Sequence, residues 1–127
     1  MAFPAIVERV PVHIHNLYAD ADGETHFRDV EVECTDAQPW GNLSKCLSTA
    51  GMMFVEASGS TLAEWHPAPR RQYVIILSGN SEVTASDGER RVFTAGDVVL
   101  VEDTTGKGHT TRLFEDQLHR AVFLPTE

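Results

Sequence analysis

Gln72-Tyr73-Val74-Ile75-Ile76-Leu77, closed by Ser78-Gly79-Asn80, reads as a β-strand running into a turn. β-branched and aromatic side chains suit a pleated, half-buried surface, and the Ser-Gly-Asn cluster ends the run. The pattern continues downstream. Ser81 to Ala85 and Arg91 to Thr94 flank Ser86-Asp87-Gly88-Glu89, and Asp-Gly between two β-prone runs is a strong hairpin signal. Ala95-Gly96-Asp97 is a further turn, Val98 to Val101 a compact buried strand, and Thr104 to Gly108 a loop with two glycines. His109 to Phe114 and Arg120 to Leu124 are the last strands, the second ended by Pro125. Upstream the signal is thinner: Val10 to Ile14, His26 to Cys34 and Met52 to Val55 read as strands, and Asp20 to Glu24 as a turn. Asp36 to Ser48 reads as a short helix or a long loop. No segment holds a helical period. Many short strands separated by turns predict an all-β chain with little helix, folded as a double-sheet jelly-roll β-barrel.

A chain of 127 residues suits a single domain, taken as residues 1–127. Its 42% apolar and 23% charged composition is that of a globular protein. A formal net charge of −9 opposes phosphate backbones and anionic lipid, so neither nucleic acid nor a membrane surface is an expected partner. The longest apolar run, Tyr73 to Leu77, is far short of the ~20 residues a membrane span needs. Met1 to Arg9 lacks a basic start followed by an apolar stretch, and a cytoplasmic location is expected. Cys34 and Cys46 form no CxxC pair and read as reduced thiols. P-loop, dinucleotide and nucleophile-elbow patterns are absent from the sequence.

Two segments carry a more specific signal. His66 is followed by Gln72, and six residues separate Gln72 from Gly79. Further on, Gly96-Asp97 precedes Gly106-Lys107-Gly108-His109. Together these resemble the paired motifs of the cupin superfamily, G-x5-H-x-H-x3-4-E-x6-G and G-x5-P-x-G-x2-H-x3-N. His66 takes the first histidine place, Gln72 the glutamate place and His109 the histidine of the second motif. Departures are plain: Ala68 replaces the second histidine and Gly59 stands one residue too far from His66, while the second motif holds two extra residues, lacks its proline and has Leu113 for the asparagine. The strings WHPAPRRQYV and VEDTTGKGH also resemble small single-domain bacterial cupins of the RmlC-like kind. The resemblance implies a jelly roll, often dimeric, with its site inside the barrel; it does not fix a function.

Cupin metal sites typically use three histidines and one glutamate, a set suited to divalent transition metals. Here that set is reduced to His66 and His109, with the neutral amide of Gln72 in the carboxylate's place. Two outcomes stay open: a metal held by His66, Gln72 and His109 with water, or a pocket without metal. Strand alternation puts Val74 and Ile76 on the side of Gln72, and Thr111 and Leu113 on the side of His109. Carried backwards, it brings Arg70 and His66 to the same side, although Pro67 and Pro69 interrupt the strand. His66 and His109 are the candidate catalytic residues, as general acid or base. Arg70, Gln72, Thr111 and His26 are the candidate substrate-binding residues, with Arg70 as an anchor for an anion. Asp103 reads either as a turn residue or as a carboxylate orienting His109. His13 and His15 share a strand face, a spacing that can chelate but more often marks a surface. His119 reads as solvent-facing or as a satisfied polar residue.

The expectation is a small-molecule-binding cupin acting on a small polar or anionic substrate, by isomerase- or lyase-type proton transfer or, with a metal, by oxygenase chemistry. The alternative is a binding or sensing module without turnover. A homodimer is expected, because jelly-roll sheets leave apolar outer faces. If a metal is bound, alanine at His66 or His109 is expected to abolish its retention; if none is, the same changes are expected to weaken ligand binding but leave the fold intact, because rim polar groups contribute little to the core.

Overall fold

The computed structural model describes residues 10–58 and 62–127; the Met1 to Arg9 segment and Gly59 lie outside them. Twelve strands follow in order: β1 (Val12–Ala19), β2 (Thr25–Val32), β3 (Cys34–Gln38), β4 (Gly41–Ser44), β5 (Met53–Ser58), β6 (Leu62–His66), β7 (Gln72–Ser78), β8 (Ser81–Ala85), β9 (Arg90–Phe93), β10 (Val98–Val101), β11 (His109–Leu113) and β12 (Leu118–Pro125). No helix occurs among the described residues, and none is long and apolar enough to cross a membrane. The chain is all-β, and the jelly-roll arrangement is visible in its sheet order. A six-stranded sheet runs β2-β1-β10-β7-β12-β5 and faces a four-stranded sheet β6-β11-β8-β9. Among the described residues, all pairings are antiparallel except β1 with β10. The stretch Asp36 to Ser48, read as helix or loop, is instead largely the β3–β4 hairpin. Its Trp40 side chain is 76% exposed, so almost no packing marks it as a strand pair in the sequence.

Leu17, Phe27, Ala85, Phe93 and Val99 form the buried core between the sheets, with Val74, Ile76, Val83 and Val101 packed against it. Alternation divides β7 cleanly. Gln72, Val74, Ile76 and Ser78 face an inner cavity, while Tyr73 and Ile75 line an outer groove. That division decides which residues can share a site.

Polar clusters fasten the ends of the sandwich. At the β1–β2 turn, the His26 Nε2 lies 2.7 Å from Asp20 Oδ2 and its Nδ1 2.8 Å from Asp87 Oδ2. The Asp20 carboxylate, then that of Asp87, raises the His26 imidazole above its ordinary value. At the start of β1, Arg91 donates to Asp29 at 2.7 Å and His13 lies 2.7 Å from the same oxygen. These contacts, Arg91 first, bring the Asp29 carboxyl down to about 2.

Candidate functional site

The loop before β11 is built around glycines that let backbones touch. Gly108 has φ +74° and sits against the His66 carbonyl and Pro67 nitrogen, and Gly106 sits against Gly23. Thr25 Oγ1 donates to the Gly108 carbonyl at 2.6 Å, and the Lys107 amide donates to the Gly23 carbonyl at 2.8 Å. The loop is thereby wedged between the β1–β2 turn and the end of β6. It delivers His109 directly opposite His66 in the β6–β11 pairing, with ring centroids 5.2 Å apart.

Both rings are held through Nδ1. His66 donates to the Glu64 carbonyl at 2.7 Å, and His109 donates to Asp103 Oδ2 at 2.6 Å. Each neutral ring then carries its lone pair on Nε2, and neither Nε2 has a protein hydrogen bond among the described residues. The environments differ: His66 is exposed, whereas His109 is buried and its partner Asp103 is 0% exposed. Asp103 therefore belongs to the histidine pair and not, as the turn reading had it, to the local backbone alone. Its Oδ1 is buried without a partner, and so is Oε1 of Gln72, which reaches in from β7 on the opposite sheet.

His66, Gln72, His109 and Thr111 all line one cavity of about 390 Å³. Val74, Ile76, Val99, Val101, Phe93 and Phe123 form its apolar body. Two expected residues lie elsewhere. Arg70 is exposed and does not line the cavity, because β6 ends at His66 and β7 begins at Gln72. The intervening Pro67 and Pro69 break the alternation that would have turned it inward. His26 is tied between Asp20 and Asp87 at the β1–β2 turn, outside the cavity. His119, read from the sequence as solvent-facing or as a satisfied polar residue, joins the site, and its neighbour Arg120 also lines the cavity. His119 of β12 lines the cavity with its Nε2 donating to the Phe114 carbonyl at 2.8 Å. Gly79 leaves room for that ring, since a Cβ there would overlap it. The signal was available in alternation, because His119, Ala121 and Phe123 stand two apart and all face inward.

A match to the cupin domain family spans residues 51–117, which covers both histidine-bearing strands and the glycine loop between them. The chain belongs to the cupin family. Among solved structures, this cupin is similar to protein NMB1881 from Neisseria meningitidis, with 17% identity, a TM-score of 0.42, and coverage of 60% of this chain and 72% of that one. It is also similar to a cupin-2 domain containing protein from Shewanella frigidimarina, with 15% identity, a TM-score of 0.42, and coverage of 58% and 68%. An RmlC-like cupin from the same organism shows 17% identity and a TM-score of 0.39, over 86% of this chain and 82% of that one. No curated protein matches the chain.

The donor set does not fit the four-ligand metal site typical of cupins. Ala68 removes one imidazole, and Gln72 brings no charge to offset a dication. Among the described residues, no three His, Cys, Asp or Glu ligand atoms of the cavity converge closely enough to hold an ion together. What the cavity does present is three hydrogen-bonded imidazoles, His66, His109 and His119, an unpaired amide oxygen and an apolar body.

Proposed function

We propose that this cupin binds a small organic molecule between its sheets and handles a proton at the molecule's polar end. The observation that carries this reading is the bracing of both imidazoles through Nδ1, which points their basic character to Nε2. His109, backed by a buried carboxylate, is the stronger candidate for proton abstraction. His66, open to solvent, is suited to exchange that proton with water. Gln72 supplies a hydrogen-bonding group from the opposite wall, and Thr111 a hydroxyl beside His109. The ligand's body meets Val74, Ile76, Val99 and Phe123, so an apolar skeleton carrying one polar group fits better than a compact anion. Isomerisation or elimination needs no more than such a pair of acid–base groups.

Native mass spectrometry of the protein as purified, followed by nitrogen-detected imidazole NMR with a panel of aliphatic and aromatic carboxylic acids, hydroxy acids and ketones, tests the reading. A co-purifying or added compound should shift the Nε2 signals of both His66 and His109. His66→Ala should weaken binding about 10- to 100-fold, the worth of about 1.5–3 kcal/mol for a hydrogen bond to a charged group. If no compound moves those two signals while the protein stays folded, the reading falls. Binding without turnover would make the protein a sensing module.

The reading extends to assembly. The outer face of the six-stranded sheet bears a groove of about 260 Å³ lined by Val12, Ile14, Tyr73, Ile75, Val98 and Leu124. Apolar surface of this kind favours a partner, and a second copy is the one proposed. Analytical ultracentrifugation at micromolar concentration should show twice the 14.0 kDa chain mass. A monomer under those conditions would refute the dimer.

A further inference from the structure

We propose that His13, His15 and Asp29 form a divalent transition-metal site at the outer end of β1, separate from the cavity, and that Arg91 is the resident cation a metal displaces. The placement follows from register. His13 and His15 stand two apart on β1 and so share a face, and β2 sets Asp29 directly across from His15. The two rings lie 4.3 Å apart between centroids. One ligand atom from each of the three residues lies within 4.8 Å of the others, the one such cluster found among the described residues. Ligands about 2.0–2.2 Å from a tetrahedral ion stand about 3.4 Å from one another, so only a small contraction is needed. None of the three lines the cavity.

The position already attracts a cation. Arg91 reaches over from β9 in the opposite sheet, and its Nη1 lies 2.9 Å from His15 Nδ1 and 2.7 Å from Asp29 Oδ1. An arginine can only donate, so His15 Nδ1 must present its lone pair toward that point. Asp29 Oδ1 and His13 Nε2 converge on the same place at 2.7 Å from each other. Arg91 also has an anchor to retreat to. Its Nε donates to Glu89 Oε2 at 2.7 Å, so it can leave Asp29 without losing its charge partner. Two imidazoles and one carboxylate suit Zn²⁺, Co²⁺ or Fe²⁺, with water in the open positions. His15 packs edge-on against Phe93 at 4.8 Å, which fixes one ligand ring on the core and makes the site more than a loose surface pair.

Titration of the purified chain with Co²⁺ and Zn²⁺, followed by visible absorption and calorimetry, tests the assignment. One equivalent should bind in the micromolar range. His13→Ala, His15→Gln and Asp29→Asn should each weaken binding at least 10-fold, whereas His66→Ala should leave it unchanged. Arg91→Gln should tighten it about 10-fold by removing the competing cation, and Arg91→Lys should tighten it less. Tightening in Arg91→Gln separates this site from adventitious surface chelation, which that substitution would leave alone. Absence of binding in both the wild type and a folded Arg91→Gln chain would overturn the proposal. So would loss of binding in His66→Ala but not in His13→Ala.

Discussion

Gly108→Ala should cost roughly 3–5 kcal/mol of stability, the sum of overpacking and a left-handed backbone at a non-glycine residue. The backbone there has φ +74°, and an added Cβ would overlap the His66 carbonyl and stand 2.5 Å from the Pro67 nitrogen. Those neighbours are main chain, so no rotamer change relieves the contact. For a domain with the usual ~5–15 kcal/mol in hand, the variant should fold marginally or be recovered insoluble. Gly88→Ala is the control. Gly88 also has positive φ, at +98°, but an added Cβ there meets nothing within 4 Å. It should cost only about 1–2 kcal/mol. Urea unfolding of the two variants makes the comparison. Equal losses would show that the loop does not press on the end of β6 and that His109 is aligned by something else.

His109→Ala should destabilise the fold by about 3–5 kcal/mol, the cost of leaving a buried charged partner alone. Asp103 is 0% exposed, its Oδ2 bonds only His109, and its Oδ1 has no partner. Adding Asp103→Asn to His109→Ala should recover about 1–3 kcal/mol, because the residual buried group is then neutral. The burial of His109 against Asp103 stands against the expectation that a histidine at the mouth of the barrel can be truncated without consequence for the fold. That expectation stays in force for His66, which is exposed and bonds only a nearby carbonyl. Thermal and urea unfolding of the three variants decides the matter. If His109→Ala unfolds within 0.5 kcal/mol of the parent, the pair is not buried in solution, and the acid–base role given to His109 loses its basis.

The sequence carried the fold where local and long-range demands agreed. Gln72 to Leu77 has β-branched residues on both faces, and both faces are covered or grooved, so its strand character was plain. The Asp87-Gly88 hairpin was equally legible. Cys34 to Ser44 was not: it contains few β-branched residues, it holds Pro39, and its hairpin packs on little, so nothing in its composition separates strand from loop. At the cavity, motif spacing pointed to His66, Gln72 and His109, and alternation added Thr111. The same alternation misled at Arg70, since it does not survive two prolines. Asp103 carried two readings, because a carboxylate after a strand looks the same in a chain whether it turns outward to the backbone or inward to a histidine. His119 carried two readings, solvent-facing or satisfied polar; the second holds, since its Nε2 bonds the Phe114 carbonyl, and its spacing from Phe123 puts it on the inner face.

The parallel pairing of β1 with β10 bears on how the chain reaches its native state. Asn16 Nδ2 donates to the Leu100 carbonyl at 3.0 Å across 84 residues of sequence. The first hairpin, β1 with β2, can close as soon as it leaves the ribosome, yet its buried side has no sheet to join until β10 has been made. Contacts so distant in sequence are slow to form, and topologies dominated by them fold over milliseconds to seconds, not microseconds. During that interval Ile14, Leu17 and Phe27 face water, and the free edge of β1 is open to strands from other nascent chains. The acidic balance of the chain, −9 overall, then acts before folding is complete, by keeping unfinished copies apart.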